Sequence, residues 1–205
     1  MVRIGLFGGS FNPVHMAHLI LAERAREERA LDKVLFVPAS QPPHKPDVRL
    51  APAQNRLEML HLATAGHPCF EVSTVELDRQ GPSYTLITVR DLKQALGTRC
   101  AIHLIVGSDS IRDMPHWWRA EELIRETEII GLERPGFPPD DMPELETAFG
   151  AVAAAKLRAS IVTAPLLEIS STDIRRRARQ GLSIRYLIPD QVCEYILAHG
   201  LYAKG

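Results

Sequence analysis

The chain has 205 residues, with 24 Lys plus Arg against 25 Asp plus Glu. That length supports a self-sufficient core, and the near-zero net charge argues against broad nucleic-acid or membrane binding. Three scattered cysteines without a C-x-x-C pair fit a reducing compartment, and neither a cleavable signal nor a run of about 18 apolar residues stands out, so a cytoplasmic protein is expected.

In chain order, a strand over Val2–Phe7 leads into Gly8-Gly9-Ser10-Phe11-Asn12-Pro13-Val14-His15, then a helix near Met16–Arg29. Strands follow at Lys33–Val37, Phe70–Ser73, Ile102–Val106, Glu128–Leu132 and Ser160–Thr163. Helices near Pro52–Ala65, Tyr84–Leu96 and Ala120–Arg125 lie between them, and the proline-rich stretch Pro135–Glu144 reads as a surface loop. Ser170-Ser171-Thr172-Asp173 offers caps for a helix ending near Gly181, and the closing helix is marked by Pro189 and Gly200. Strand–helix alternation of this kind predicts an α/β fold: a Rossmann-like, doubly wound parallel sheet with helices on both faces. In such sheets ligands bind at the carboxyl ends of the strands, where the strand order reverses. Gly8-Gly9, Pro38-Ala39 and Gly107-Ser108-Asp109 all follow strands and would share that rim.

The first of these segments has the makings of a phosphate site. Glycines admit close backbone approach, and the first turn of a helix attracts anions. His15 and His18, three apart, can point at the same anion. Two other phosphate loops are absent, since neither G-x-x-x-x-G-K-[ST] nor G-x-G-x-x-G is present. A zinc site on the two histidines lacks nearby Cys or carboxylate partners. Arg175, Arg176, Arg177 and Arg179 crowd the start of a later helix, where cations are unfavourable unless an anion is bound. Arg175 is the best placed of them to meet a phosphate.

The run from Gly8 to His18 closely resembles the G-G-[ST]-F-[ND]-P-x-H-x-G-H signature of the nucleotidyltransferase superfamily. Pro42-Pro43-His44-Lys45, Pro82-Ser83-Tyr84-Thr85, Gly107-Ser108-Asp109, Trp117, Arg134-Pro135-Gly136 and Ile169–Arg175 fall in the order and spacing of the bacterial nicotinate-nucleotide adenylyltransferase family. The resemblance runs from residue 2 to about residue 200, with one departure: Ala17 stands where the family has Gly.

What the resemblance implies is adenylyl transfer from ATP to nicotinate mononucleotide in NAD biosynthesis. His15, His18 and Arg175 would be catalytic. Gly8, Gly9, Ser10, Phe11, Gly107, Ile169, Ser170 and Ser171 would join His18 and Arg175 in holding ATP. Ser10, Lys45, Tyr84, Thr85, Asp109, Trp117 and Arg134 would hold the mononucleotide, with Trp117 stacking on the pyridine ring. Mg2+ would be carried mainly by ATP phosphates. Residues 1–205 would form one nucleotidyltransferase domain whose helical part from about 165 packs on the sheet and completes the ATP site. Homo-oligomers are compatible with this reading.

Other readings share parts of the pattern. A relative with another acceptor, phosphopantetheine, or a CTP-using enzyme acting on a small phosphate, would keep the mechanism. A nucleotide-sensing or RNA-binding module would keep the loop without turnover, although no basic excess or RNA-binding aromatic motif supports it. A metallohydrolase on His15 and His18 is the remaining option.

Overall fold

The computed structural model describes residues 1–42 and 50–203. Its six strands are β1 (Val2–Gly9), β2 (Lys33–Pro38), β3 (Phe70–Val72), β4 (Cys100–Gly107), β5 (Glu128–Leu132) and β6 (Ile161–Val162). They pair in parallel throughout, in the order β3-β2-β1-β4-β5-β6. The order therefore reverses at β1, between β1 and β4, as expected of a doubly wound sheet.

Both faces of the sheet are covered, which explains the near-continuous apolar strands. Side chains alternate across the pleat. Phe7, Val34, Phe36, Ile105, Ile130 and Leu132 enter one core with α1 (Met16–Glu28), α2 (Ala53–Thr64), α7 (Ser171–Arg179) and α8 (Asp190–Ala198). Ile4, Leu6, Leu35, Val37, Leu104 and Val106 enter the other. That face is closed by α3 (Thr85–Leu96), α4 (Ser108–Asp113), α5 (Ala120–Glu126) and α6 (Pro143–Ala159). Among the described residues, no helix is long and apolar enough to cross a membrane.

Three local differences from the sequence reading have physical causes. Gly8 and Gly9 are the last residues of β1, paired with Val37 and Pro38, rather than a loop beyond the strand. A post-strand helix, α4, starts at once from Gly107. The helix α6 has no continuous helical pattern in the sequence, because Gly150 (φ 79°, ψ 161°) breaks it into two short pieces. Pro143 in its first turn marks a helix start rather than the end of a loop.

Gly131, in the middle of β5, shows how closely the elements approach. A Cβ there would lie 2.6 Å from Ile161 Cγ1, 2.7 Å from Ile111 Cδ1 and 3.0 Å from the Ile161 Cα. Gly131→Ala is expected to lower stability by about 1–3 kcal/mol, the usual cost of overpacking. A chemical denaturation midpoint equal to that of the wild type would contradict this close packing.

Candidate active site

The segment between β1 and α1 is pinned from behind at successive residues. The buried Arg56 side chain donates to the carbonyl of Ser10 at 2.9 Å and to that of Ala51 at 3.1 Å. Arg175 Nη1 donates to the Asn12 carbonyl at 2.8 Å, and Ser171 Oγ donates to the Pro13 carbonyl at 2.8 Å. Asn12 Oδ1 accepts from the Ala51 amide at 3.0 Å and from the Tyr202 hydroxyl at 2.7 Å. Phe11, with φ of 42° and its ring buried, packs under Gly9, where a Cβ would lie 3.1 Å from the ring. Gly8 is exposed at the rim, and a Cβ there would meet nothing within 4 Å.

His15 caps α1 with an extended backbone, and its own amide donates to His18 Nδ1 at 3.2 Å. A ring nitrogen that accepts a hydrogen bond carries no proton there, so Nε2 is the nitrogen of His18 from which it can donate. The two imidazoles stack with centroids 3.6 Å apart and planes at 25°. Phe11 supports the His18 ring edge-on at 5.1 Å. His15 is 3% exposed, and its pKa falls to about 3, through burial first and the nearby Arg134 charge second. It is therefore uncharged at neutral pH. Its Nδ1 is buried without a hydrogen-bond partner among the described residues. The first helical amide of α1, that of Met16, is engaged by the Leu187 carbonyl at 2.9 Å.

Across the switch point, the ends of β4 and β5 bring Gly107, Asp109 and Arg134 together. The Arg134 amide donates to Ser108 Oγ at 2.9 Å, and its Nε lies 4.0 Å from Asp109 Oδ1. A Cβ on Gly107 would lie 2.2 Å from Asp109 Oδ1 and 2.9 Å from Arg134 Nε, so a side chain here would displace both groups. Pro135 and Gly136 (φ 81°) then turn the chain, with Phe137 N–H on the Arg134 carbonyl at 3.1 Å.

On the other side of the loop, Ser170 caps α7 by accepting from the Asp173 amide at 3.1 Å. Ile169 packs against the first core, and Ser170 itself is exposed. Arg176 is tied to Asp173 and Gln180, and Arg177 to the Ser183 carbonyl, so Arg175 is the member of this group that turns back to the β1–α1 loop.

A further group sits at the start of α3. Tyr84 is its N-cap and Thr85 its first residue, and Ser83 Oγ anchors the loop after β2 by accepting from the Ser40 and Gln41 amides at 3.0 and 3.2 Å. Trp118, 40% exposed, stacks on Tyr84 with centroids 4.7 Å apart, whereas Trp117 is partly buried against the second core. Lys45 lies outside the described residues.

The cytidylyltransferase-like family model matches residues 6–177. A Thermus thermophilus protein named "Probable nicotinate-nucleotide adenylyltransferase" is 44% identical over 201 residues, covering 98% of this chain and 100% of its own. A Moorella thermoacetica protein of the same name is 42% identical over 200 residues, covering 98% and 91%. The chain belongs to the nicotinate-nucleotide adenylyltransferase family. Its fold is also that of a Plasmodium falciparum nicotinic acid mononucleotide adenylyltransferase complexed with NaAD, with a TM-score of 0.76 at 21% identity over 98% of each chain.

Where the family signature has Gly, Ala17 is 1% exposed, its methyl enclosed in the interior. Arg56 and Tyr202 escaped the sequence reading because no local pattern connects them to residues 10–13. Asn12 lay inside the signature, yet only the fold shows how many partners it holds.

Because the folded chain keeps His15 neutral, the unfolded chain binds more protons between about pH 6.5 and about pH 3. Stability therefore falls as pH drops through that window. His103, buried beside Glu128 and also shifted down by burial, acts in the same direction. The expected result is that His15→Gln loses less thermal stability than wild type between about pH 7.5 and about pH 5. Equal losses in calorimetry would contradict a buried neutral His15.

Proposed function

We propose that the chain transfers the adenylyl group of ATP to nicotinate mononucleotide, forming nicotinate adenine dinucleotide and pyrophosphate in NAD biosynthesis. The observation that carries this reading is the paired His15 and His18 at the strand switch point, in a chain whose relatives share its full length. A phosphate oxygen of the mononucleotide attacks the α-phosphorus of ATP. The bond from that phosphorus to the bridging oxygen breaks, and pyrophosphate leaves with the electron pair. The attacking oxygen is already anionic, so no side-chain nucleophile or general base is required.

Catalysis is then alignment plus stabilisation of charge that grows on the triphosphate. His18 donates from Nε2, a role supported by the occupied Nδ1. His15, uncharged and buried, supplies a second imidazole without adding a charge that must be solvated. Arg175 stands at the leaving pyrophosphate. Gly8, Gly9, Ser10 and Phe11 form the floor for the phosphates, and Gly107, Ile169, Ser170 and Ser171 line the rest of the ATP site. In this reading residues 1–205 work as one domain, with the part from about residue 165 completing the ATP site. The packing of α7 and α8 on the β1–α1 side of the sheet supports that division of labour.

The mononucleotide is assigned to Ser10, Lys45, Tyr84, Thr85, Asp109, Trp117 and Arg134. Aromatic surface beside the start of α3 suits a flat pyridine ring, and the Asp109–Arg134 pair suits ribose hydroxyls and phosphate. Among the described residues no group of three or more His, Cys, Asp or Glu side chains converges as a metal cage. A magnesium ion would come in mainly on the ATP phosphates and would offset triphosphate charge. All substrates are water-soluble, in keeping with a cytoplasmic enzyme.

Purified protein with ATP and magnesium, offered nicotinate mononucleotide, nicotinamide mononucleotide or phosphopantetheine, tests this reading by product chromatography. Equal amounts of nicotinate adenine dinucleotide and pyrophosphate are expected, with the nicotinate substrate turned over best. Dephospho-coenzyme A as the main product would overturn the acceptor. No product with any acceptor would overturn the activity. In the same assay His18→Ala is expected to lower kcat by ~100-fold or more while the denaturation midpoint stays near wild type. A near-normal rate would remove His18 from the mechanism.

A further inference from the structure

The last described turn of the chain reaches back to the site. After α8, Gly200 (φ 58°) and Tyr202 (φ 63°) both adopt the left-handed region. The Leu201 amide closes onto the Ile196 carbonyl at 3.0 Å, and Leu201 and Tyr202 pack against the first core. A tyrosine in that backbone region is strained, and such conformations persist where the surroundings over-determine them. What holds Tyr202 there includes its hydroxyl, which donates to Asn12 Oδ1 at 2.7 Å. Burial keeps the phenol protonated well past its ordinary range, so it remains a donor beside the guanidinium groups of Arg175 and Arg56.

Asn12 is the residue through which this contact acts. Its side-chain oxygen takes two donors, the Ala51 amide and the Tyr202 hydroxyl, while its buried Nδ2 has no partner among the described residues. Two donors on one oxygen set the orientation of the amide. A flipped amide would turn its NH2 toward the Ala51 N–H, so that amide opposes the flip, while the Tyr202 hydroxyl ties the Asn12 side chain to the turn after α8. With the Tyr202 hydroxyl removed, Asn12 Oδ1 would keep only the Ala51 amide and lose its tie to the turn after α8. The backbone carbonyl of this same residue receives Arg175 Nη1 at 2.8 Å.

We propose that Tyr202 is a positioning residue for adenylyl transfer: through Asn12 it sets where the Arg175 guanidinium lies relative to the loop carrying His15. The inference rests on the reading of Arg175 as the partner of the leaving pyrophosphate. It makes the end of the chain part of the catalytic apparatus, although Tyr202 itself touches no substrate.

Tyr202→Phe removes only the hydroxyl and keeps the packed ring. Its kcat is expected to fall by about tenfold, the scale of a small misplacement of a charged group. The KM for the mononucleotide should stay within about twofold, because the acceptor side is untouched. Placed in an Arg175→Ala background, the same substitution should cost nothing further, since the two act through one path. A purely structural role would instead lower the denaturation midpoint and leave kcat per folded molecule unchanged, in either background. Calorimetric binding of inorganic pyrophosphate gives a readout independent of turnover: weaker binding by several-fold in Tyr202→Phe is expected, and unchanged binding overturns the proposal. A wild-type protein inactive with every acceptor would count against the activity, while the pyrophosphate measurement would still decide the role of Tyr202.

Discussion

The site depends on how the turn between β1 and α1 is held. The carbonyls of Ser10, Asn12 and Pro13 are bonded from behind by Arg56, Arg175 and Ser171, which come from α2 and α7. Hydrogen bonds from charged donors are among the stronger ones, and a backbone carbonyl buried without a partner is costly. Each bond therefore serves two ends at once. It satisfies the turn, and it fixes the donor that brings its own helix to the rim. The β1–α1 loop and the start of α7 behave as one unit in consequence, although more than 150 residues separate them.

Within that unit, burial decides the chemistry of the histidine pair. Two stacked imidazoles would repel if both were charged, and the guanidinium of Arg134 adds a third positive group nearby. The chain meets this by keeping His15 neutral in the interior and leaving His18 nearer the surface, with its Nδ1 occupied by a backbone amide. In the proposed mechanism, a neutral donor that needs no solvation, placed before substrate arrives, would lower the barrier without reorganisation during the reaction. The cations are at the edges, on Arg134 and Arg175, where phosphate charge would compensate them.

Much of the fold was legible because the parallel sheet is covered on both faces. The run Val34–Val37 is apolar at every position and Ile102–Val106 at all but His103, and the helices between them are of ordinary length. The reversal of order beside β1 follows from the same alternation. What was not legible was non-local or interrupted. Gly150 hid α6 by breaking its pattern, and the stacking of Trp118 on Tyr84 joins residues 34 positions apart that no local pattern connects. The signature residues from Gly8 to His18 stood out as a linear motif. Their supports did not, since Arg56 and Tyr202 meet the motif only after α2, α7 and α8 have packed on one face.

The most direct test of the account is the stereochemical course at the transferred phosphorus, read with ATP made chiral at its α-phosphate. A frame that only aligns two substrates and neutralises charge requires a single in-line displacement, so the dinucleotide should form with inversion of configuration. Retention would mean two displacements, with a group on the protein carrying the adenylyl unit in between, and would contradict the account.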